Sequence, residues 1–435
     1  MYMQFPIQSF FMARRISIIG GGYVGLVSAV CFAKMGNSVE IIERDPWKVD
    51  TINAAIPPIY EKGLEDCLKS HAGKNLTATT SYTSILNTDI TMICVGTPDQ
   101  EDGSANLKYL EEACKSIGNE LKNKRSNHLI IVKSTVPPGT TRNLVIPTVI
   151  SSSLNNENIE FAFNPEFLRE GRAIDDFFNP DRIIIGCEND RAEKIVLSLY
   201  HNIDAPKIRT SFCEAEMIKY ASNAFLATKI SFSNEIGNIC KKLGIDVYKV
   251  MNGVGLDHRI SPYFLNAGIG FGGSCFPKDI KCLINLAETE GEDPQLLKSV
   301  MDINSHQPLK LVELLIQRID TLKHKRIALL GLAFKENTDD IRESRAIPVI
   351  LELQKHGAII AAYDPVAIPS MQKIVSNIEY CSTAAEALKG ADAALVLTEW
   401  PEFRYLQKEF DQMKSKIIIE GRKILLYDDK EGICW

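Results

Sequence analysis

The feature that most restricts the fold of this chain is a glycine turn set between a short strand and a helix. Ile16, Ile18 and Ile19 make a β-branched strand, and Gly20-Gly21-Gly22-Tyr23-Val24-Gly25 follow at once. The residues over 26–35 then read as an apolar helix that stops at Gly36. A second strand over 39–43 ends on Glu43, 18 residues beyond Gly25. A G-x-G-x-x-G turn inside a βαβ unit is the arrangement that seats a dinucleotide. Gly20 makes the turn, Gly22 lets a pyrophosphate approach the backbone, and Gly25 lets helix and strand pack closely. The helix N-terminus faces the phosphate charge. Glu43 is placed to accept from the adenosine ribose and disfavours a 2'-phosphate, so NAD is expected over NADP, with the adjoining Arg44 tempering that preference.

The same logic extends along the chain. A strand over 90–95 ends at Gly96-Thr97-Pro98, and one over 129–132 ends at Lys133-Ser134-Thr135-Val136-Pro137-Pro138-Gly139-Thr140. A third, over 161–163, runs into Asn164-Pro165-Glu166-Phe167-Leu168-Arg169-Glu170-Gly171. Small, polar and turn residues are what loops at the carboxyl edge of a parallel sheet require. From 214 to 243 the periodicity becomes that of one long helix, and a second covers 295–319. Between them lies Gly268-Ile269-Gly270-Phe271-Gly272-Gly273-Ser274-Cys275. The opening pattern then returns: a strand over 325–330, the turn Gly331-Leu332-Ala333-Phe334-Lys335, a helix over 346–355, and a strand over 358–363 ending in Asp364-Pro365. The expectation is an α/β protein with two doubly wound Rossmann-like domains joined by a helical middle domain with a long central helix. The expected divisions are 12–210, 211–308 and 309–435, with a nucleotide ligand for each outer domain.

Composition narrows the function classes. Lys and Arg number 49 against 55 Asp and Glu, a net charge of −6, which argues against non-specific nucleic-acid binding. The 11 cysteines form no C-x-x-C pair and no His cluster has zinc-ligand spacing, so no metal and a reduced, cytoplasmic setting are expected. No stretch reaches the ~18 apolar residues of a membrane span. The opening MYMQFPIQSFFMARR puts apolar residues before a basic pair, the reverse of a secretory signal, and offers Met12 as an alternative start.

Cys275 is the sharpest chemical candidate. It follows the glycine run and precedes Phe276-Pro277-Lys278-Asp279, with Pro277 suited to the first helical turn. A thiol at a helix N-terminus has its thiolate stabilised, and glycines beside it allow a ligand close. Asp279 falls in that first turn, where a carboxylate is favourable anyway. Lys219 and Asn223, four residues apart, share one helix face and either line a site or reach solvent.

With these residues in place, the chain resembles the UDP-glucose/GDP-mannose dehydrogenase family. The resemblance rests on G-x-G-Y-V-G from Gly20, V-G-T-P from Val95, K-S-T-V-P-P-G-T from Lys133 and N-P-E-F-L-R-E-G from Asn164. It continues in E-M-I-K-Y-A-S-N-A-F-L-A-T-K-I-S-F from Glu216, G-F-G-G-S-C-F-P-K-D from Gly270, and the segments at Lys335 and Arg422. It implies an NAD-dependent four-electron oxidation, and the segment Phe264-Leu265-Asn266-Ala267-Gly268 points to UDP-glucose, yielding UDP-glucuronate for polysaccharide biosynthesis. GDP-mannose or a UDP-N-acetylhexosamine is the alternative sugar nucleotide.

The resemblance also implies roles. Cys275 is the nucleophile that forms a thiohemiacetal and then a thioester; Lys219 and Asn223 stabilise the developing oxyanion; Asp279 and Thr135 position water or relay protons; Glu166 serves thioester hydrolysis. For NAD it adds Tyr23, Val24, Lys48, Thr97, Thr135, Glu170, Lys278 and Arg342 to Gly20, Gly22, Gly25 and Glu43. For the UDP-sugar it points to Glu166, Phe167, Leu168, Arg169, Glu170, Lys219, Asn223, Phe264 to Gly268, Gly272, Lys335 and Arg422, with Arg259 reaching a neighbouring subunit. A homodimer through the middle helices follows. Three departures stand out: Glu43 where the family more often has Asp, Asn106 where Asp is usual, and Ala54 for a common glycine. The segment from Gly421 to Trp435 also departs from the family's usual ending.

Overall fold

The structure is a computed structural model and describes residues 13–435. Met12, named above as an alternative start and as the opening of the first domain, lies outside the described residues. By packing, the chain divides into two units, one comprising the described chain through Gln100 with Ala105–Lys219, the other Glu101–Ser104 with Tyr220–Trp435.

The first unit is built on an eight-stranded sheet ordered β3-β2-β1-β4-β5-β6-β7-β8. Its strands are β1 Arg15–Ile19, β2 Ser38–Ile42, β3 Leu76–Thr79, β4 Ile90–Ile93, β5 His128–Val132, β6 Ile159–Phe163, β7 Ile183–Gly186 and β8 Lys207–Thr210. All pairings are parallel except β6 with β7, which meet antiparallel at Phe163 and Gly186. The chain order reverses between β1 and β4, and the loops at that switch point are the glycine turn and the V-G-T-P segment. Strands buried on both faces explain the unbroken apolar runs: Ile90 to Ile93 and His128 to Val132 are buried throughout. The helix Tyr23–Lys34 begins three residues before the periodic run over 26–35 and is buried from Gly25 to Ala33.

The second unit combines helices with a six-stranded, wholly parallel sheet ordered β11-β10-β9-β12-β13-β14. Its strands are β9 Arg326–Leu330, β10 Ile359–Tyr363, β11 Glu379–Tyr380, β12 Ala393–Val396, β13 Ile418–Glu420 and β14 Glu431–Gly432. This repeats the order of the first six strands of the first sheet. The helices Phe212–Leu243 and Gln295–Arg318 lie within two residues of the spans expected from periodicity. Leu311, Val312 and Leu315 of the latter join β9 and the helix Ala346–Lys355 in one apolar core. Among the described residues no helix is long and apolar enough to cross a membrane.

Candidate active site

In the first unit the three glycines of the turn have separate steric reasons. Gly20 adopts φ +99°, and a Cβ there would lie 2.8 Å from the carbonyl oxygen of Cys94. A Cβ on Gly25 would lie 1.9 Å from the Gly20 carbonyl oxygen, so helix and strand approach as only glycine permits. Gly22 faces open space, with nothing within 4 Å of where its Cβ would be. No side chain caps the helix that starts at Tyr23, and its first N–H groups are left for an anion. Glu43 follows β2 directly and is buried; its Oε2 accepts from the Gly21 N–H at 2.7 Å and its Oε1 from the Asp45 N–H at 3.1 Å. Lys48 lies half-buried on the next helix, Pro46–Asn53. Thr97 donates its hydroxyl to the Thr135 carbonyl at 2.7 Å, tying two loops of the carboxyl edge together. These residues fit a dinucleotide.

The Asn164–Gly171 loop is fixed from below by Lys133, which donates to Asn164 Oδ1 at 3.0 Å. Glu166 is buried, and Lys219 donates to its carboxylate at 3.1 Å and to its carbonyl at 2.8 Å. The ammonium also lies 5.3 Å from the centre of the Phe167 ring. A buried lysine held by a carboxylate and an aromatic face is an ordered cation. Arg169 is engaged in a forked pair with Asp176 at 2.9 and 2.6 Å. Leu168 and Glu170 are half-buried in the same loop.

Two carboxylates that the sequence reading did not single out hold these loops. Glu216, fully buried, accepts from the N–H groups of Gly139 and Thr141 at 2.5 and 2.8 Å, fixing the turn after Thr135; burial pushes its carboxyl up. Glu61 accepts from Gly171 and Ala173 at 2.6 and 2.9 Å and from the Tyr23 hydroxyl. It thereby joins the start of the glycine-turn helix to the end of the Glu166–Glu170 loop. Burial first, and Glu61 second, push the Tyr23 phenol up.

In the second unit Cys275 is the N-cap residue of the helix Phe276–Thr289 and the only exposed one of the eleven cysteines. Its carbonyl accepts the first helical hydrogen bond, from Asp279, at 2.9 Å. Asp279 is almost fully buried and carries two donors: Asn223 Nδ2 at 2.6 Å and Lys278 Nζ at 2.5 Å. Through this bond the Asn223 amide faces the thiol-bearing helix.

The glycine loop before Cys275 departs from the reading that its glycines admit a ligand. A Cβ on Gly270 would lie 2.4 Å from Asn304 Oδ1, one on Gly272 2.2 Å from the Glu343 carbonyl oxygen, and one on Gly273 2.8 Å from the Phe334 ring. The loop is clamped by protein on these sides, and tight packing is what demands glycine. Buried amides finish the clamp: Asn304 bonds both polar groups of the Phe271 backbone at 2.7 and 3.0 Å, Asn234 accepts from the Gly268 N–H at 2.7 Å, and Gln307 donates to the Gly268 carbonyl at 2.9 Å. Leu265, Ala267 and Gly268 are buried, Asn266 is exposed, and Phe264 sits at φ +63°. Arg422 donates to the Gly270 carbonyl, while Lys335 lies 5.7 Å from the Phe334 ring centre. Arg342 pairs with Asp340 at 2.7 Å, its backbone carbonyl accepting from Gly273 at 2.9 Å. Arg259 pairs with Asp257 at 2.6 Å and its side chain remains 78% exposed.

Two Rossmann-type sheets, the first with an intact dinucleotide turn, and an exposed thiol on a glycine-loop helix define the class as a dinucleotide-dependent oxidoreductase. Family comparisons agree over nearly the whole chain. The NAD binding domain of the UDP-glucose/GDP-mannose dehydrogenase family matches residues 14–204, the central domain 213–306 and the UDP binding domain 328–427. The chain is 45% identical to UDP-glucose 6-dehydrogenase AglM of Haloferax volcanii, covering 94% of this chain and 97% of that protein. It is 43% identical to UDP-glucose 6-dehydrogenase TuaD of Bacillus subtilis, covering 96% and 91%. A UDP-glucose dehydrogenase structure from Pyrobaculum islandicum superposes with a TM-score of 0.94 at 40% identity over 100% of both chains. A UDP-D-ManNAc dehydrogenase from Pyrococcus horikoshii gives 0.84 at 27% identity, over 96% and 99%. The chain therefore belongs to the UDP-glucose/GDP-mannose dehydrogenase family and is an NAD-dependent oxidoreductase.

Proposed function

We propose that this chain oxidises the C6 hydroxymethyl group of UDP-glucose to the carboxylate of UDP-glucuronate, consuming two NAD and one water. The observation that carries the reading is the placement of Cys275, an exposed thiol at a helix start with Asp279 one turn further on. NAD, when bound in the first unit, supplies the hydride acceptor for both oxidations. The thiolate adds to the C6 aldehyde and holds it as a thiohemiacetal, so that the intermediate is not lost. Loss of the second hydride leaves a thioester, and water cleaves it to the carboxylate and the regenerated thiol. Lys219 and Asn223 donate to the C6 oxygen as its charge develops, Asp279 and Thr135 position water or carry protons, and Glu166 assists hydrolysis. Glu166 to Glu170, Phe264 to Gly268, Gly272, Lys335 and Arg422 hold the UDP-sugar, while Lys278, Arg342 and Glu170 complete the cofactor site. The domain divisions 12–210, 211–308 and 309–435 and a cytoplasmic, reducing setting belong to the same reading.

The functional unit in this reading is a homodimer. Phe225, Phe232, Ile239 and Leu243 recur at helical spacing on Phe212–Leu243 and are 65%, 48%, 51% and 67% exposed. A second copy of the same stripe is the occupant that covers it, and Arg259 reaches the partner. Phe232→Asp is expected to give a monomer by sedimentation; an unchanged mass would remove this interface.

The test of the chemistry is the NADH released per mole of limiting UDP-glucose, alongside Cys275→Ser. A ratio near two, lost in the variant, supports the thiol route. A ratio near one means that aldehyde escapes and ends the covalent scheme. Turnover of GDP-mannose or a UDP-N-acetylhexosamine instead moves the substrate and keeps the mechanism.

A further inference from the structure

Residues 428–435 lie beyond the segment matched by the family's UDP binding domain, which ends at 427. They are nonetheless firmly built into the second unit. Glu431 and Gly432 form β14 beside β13, with Ile419 opposite Glu431 and Glu420 opposite Gly432. The Glu431 carboxylate is gripped by both long helices, by Lys241 at 2.8 Å and by Arg318 at 2.7 and 2.8 Å. Lys241 also donates to the main-chain oxygens of Gly432 and Trp435 at 2.7 and 3.0 Å. The Trp435 ring folds back over Gly432, where a Cβ would lie 2.0 Å from the indole. Cys434 is fully buried against Gly237, whose added Cβ would lie 2.7 Å from the cysteine Cβ.

The side chains that receive this segment are the ones that hold the loop before Gly270. Gln307 Nε2 donates to the Gly268 carbonyl at 2.9 Å and reaches Cys434 Sγ at 3.4 Å. Tyr248 donates its hydroxyl to the Ala267 carbonyl at 2.7 Å, and its ring meets the Trp435 indole edge-on with centroids 5.0 Å apart. The Lys423 ammonium lies over both rings, at 4.5 and 5.8 Å. Each of Gln307 and Tyr248 thus has one contact to residues 434–435 and one to the backbone of Ala267 or Gly268.

We propose that residues 431–435 act through Gln307 and Tyr248 as a clasp that positions the Ala267-Gly268 backbone for the UDP-sugar, a reading that rests on the assignment of that loop to the substrate. The groups of the clasp are positioning residues. A backbone that must meet a ligand within a few tenths of an ångström is set by whatever holds its carbonyls, and loosening it weakens binding of that ligand first. The cofactor turn belongs to the other unit.

Two readouts test the clasp in the full-length protein. Trp435→Ala and Gln307→Leu are expected to raise KM for UDP-glucose by roughly tenfold, with kcat and KM for NAD within about twofold of the parent. Trp435→Phe keeps the ring contact and restores most of the loss. Hydrogen exchange, which needs no substrate, is expected to speed up roughly tenfold at the amides of 267–270 in Trp435→Ala. Unchanged exchange there overturns the clasp, and so does an equal loss of both ligands. If the parent does not oxidise UDP-glucose, the substrate assignment fails by itself, and the exchange result alone decides for or against the clasp.

Discussion

The two sheets share one strand order and handle the acid at the end of the second strand in opposite ways. After β1 and after β9 the turn begins with a glycine at φ +99°, Gly20 and Gly331, and each donates its N–H at 2.8 Å to the last residue of the neighbouring strand. Beyond that the designs separate. Glu43 carries two backbone N–H groups, from Gly21 and Asp45. Asp364 carries five donors: the N–H groups of Leu332, Ala333, Val366 and Ala367 and the Trp400 indole. A carboxylate so saturated has no lone pair left for a ribose. In the second sheet the acid has become part of the scaffold, and Ala333 and Glu336 stand where the second and third glycines of the fingerprint would fall, with the next helix beginning only at Ala346. The same topology therefore keeps its dinucleotide chemistry only where the acid is left under-committed.

The largest effect that would break this contrast comes from Asp364→Ala, which strands five donors at once. It is expected to cost about 4 kcal/mol in chemical denaturation while leaving NAD affinity within about twofold. A large loss of NAD binding without loss of stability would mean that the second sheet shares the cofactor. Gly25→Ala places a Cβ 1.9 Å from the Gly20 carbonyl oxygen and is expected to weaken NAD by about 100-fold in calorimetry, roughly 2.7 kcal/mol.

A third difference lies at the opposite edge of the sheets. Ser17, Thr91 and His128 form a buried chain of bonds, each 2.7 Å long, across β1, β4 and β5. The equivalent β9 and β12 pair holds Ala328 opposite Ala394. Burial first, then the Lys124 ammonium 3.1 Å away, push the imidazole down to about 3. The folded protein keeps His128 neutral while the unfolded chain takes up a proton below its ordinary value of 6.5. Stability thus rises with pH across that window and is lost as pH falls. Between pH 7 and 5 the loss attributable to this group is about 2 kcal/mol, and His128→Gln is expected to remove it from the pH profile of unfolding. An unaltered slope would show that the imidazole titrates normally. The smallest effect belongs to Glu43→Ala, expected to raise KM for NAD by roughly tenfold with stability within about 1 kcal/mol. A stability loss like that of Asp364→Ala would erase the distinction between the two acids.

Much of this was legible in the sequence because it depends on local pattern. The G-x-G-x-x-G turn, the helix over 346–355 and the long helix ending at Leu243 stand where periodicity and glycine punctuation place them. Cys275 and Asp279 were visible because a proline-bearing helix start is a local signal. The strand Lys207–Thr210 was not: its residues are almost wholly exposed at a sheet edge and show no alternation. The reversal at β7 depends on one pairing of Phe163 with Gly186, which no local pattern encodes. Glu61, Glu216, Asn304 and Gln307 were hidden for a related reason. Each is a single polar residue whose partners lie 110, 77, 33 and 39 positions away, and only the fold brings them together. The glycines of 268–273 were recognised as special, but steric demand from Asn304, Glu343 and Phe334 supplies a reason that lies far along the chain.

The uneven exposure of the cysteines gives the molecule a built-in reporter. Eight thiols are buried and two half-buried, so a small electrophile offered at limiting concentration finds Cys275 first. Mass spectrometry of the intact chain would then read one adduct, and the rate at which bound UDP-sugar suppresses that adduct would measure occupancy without any turnover.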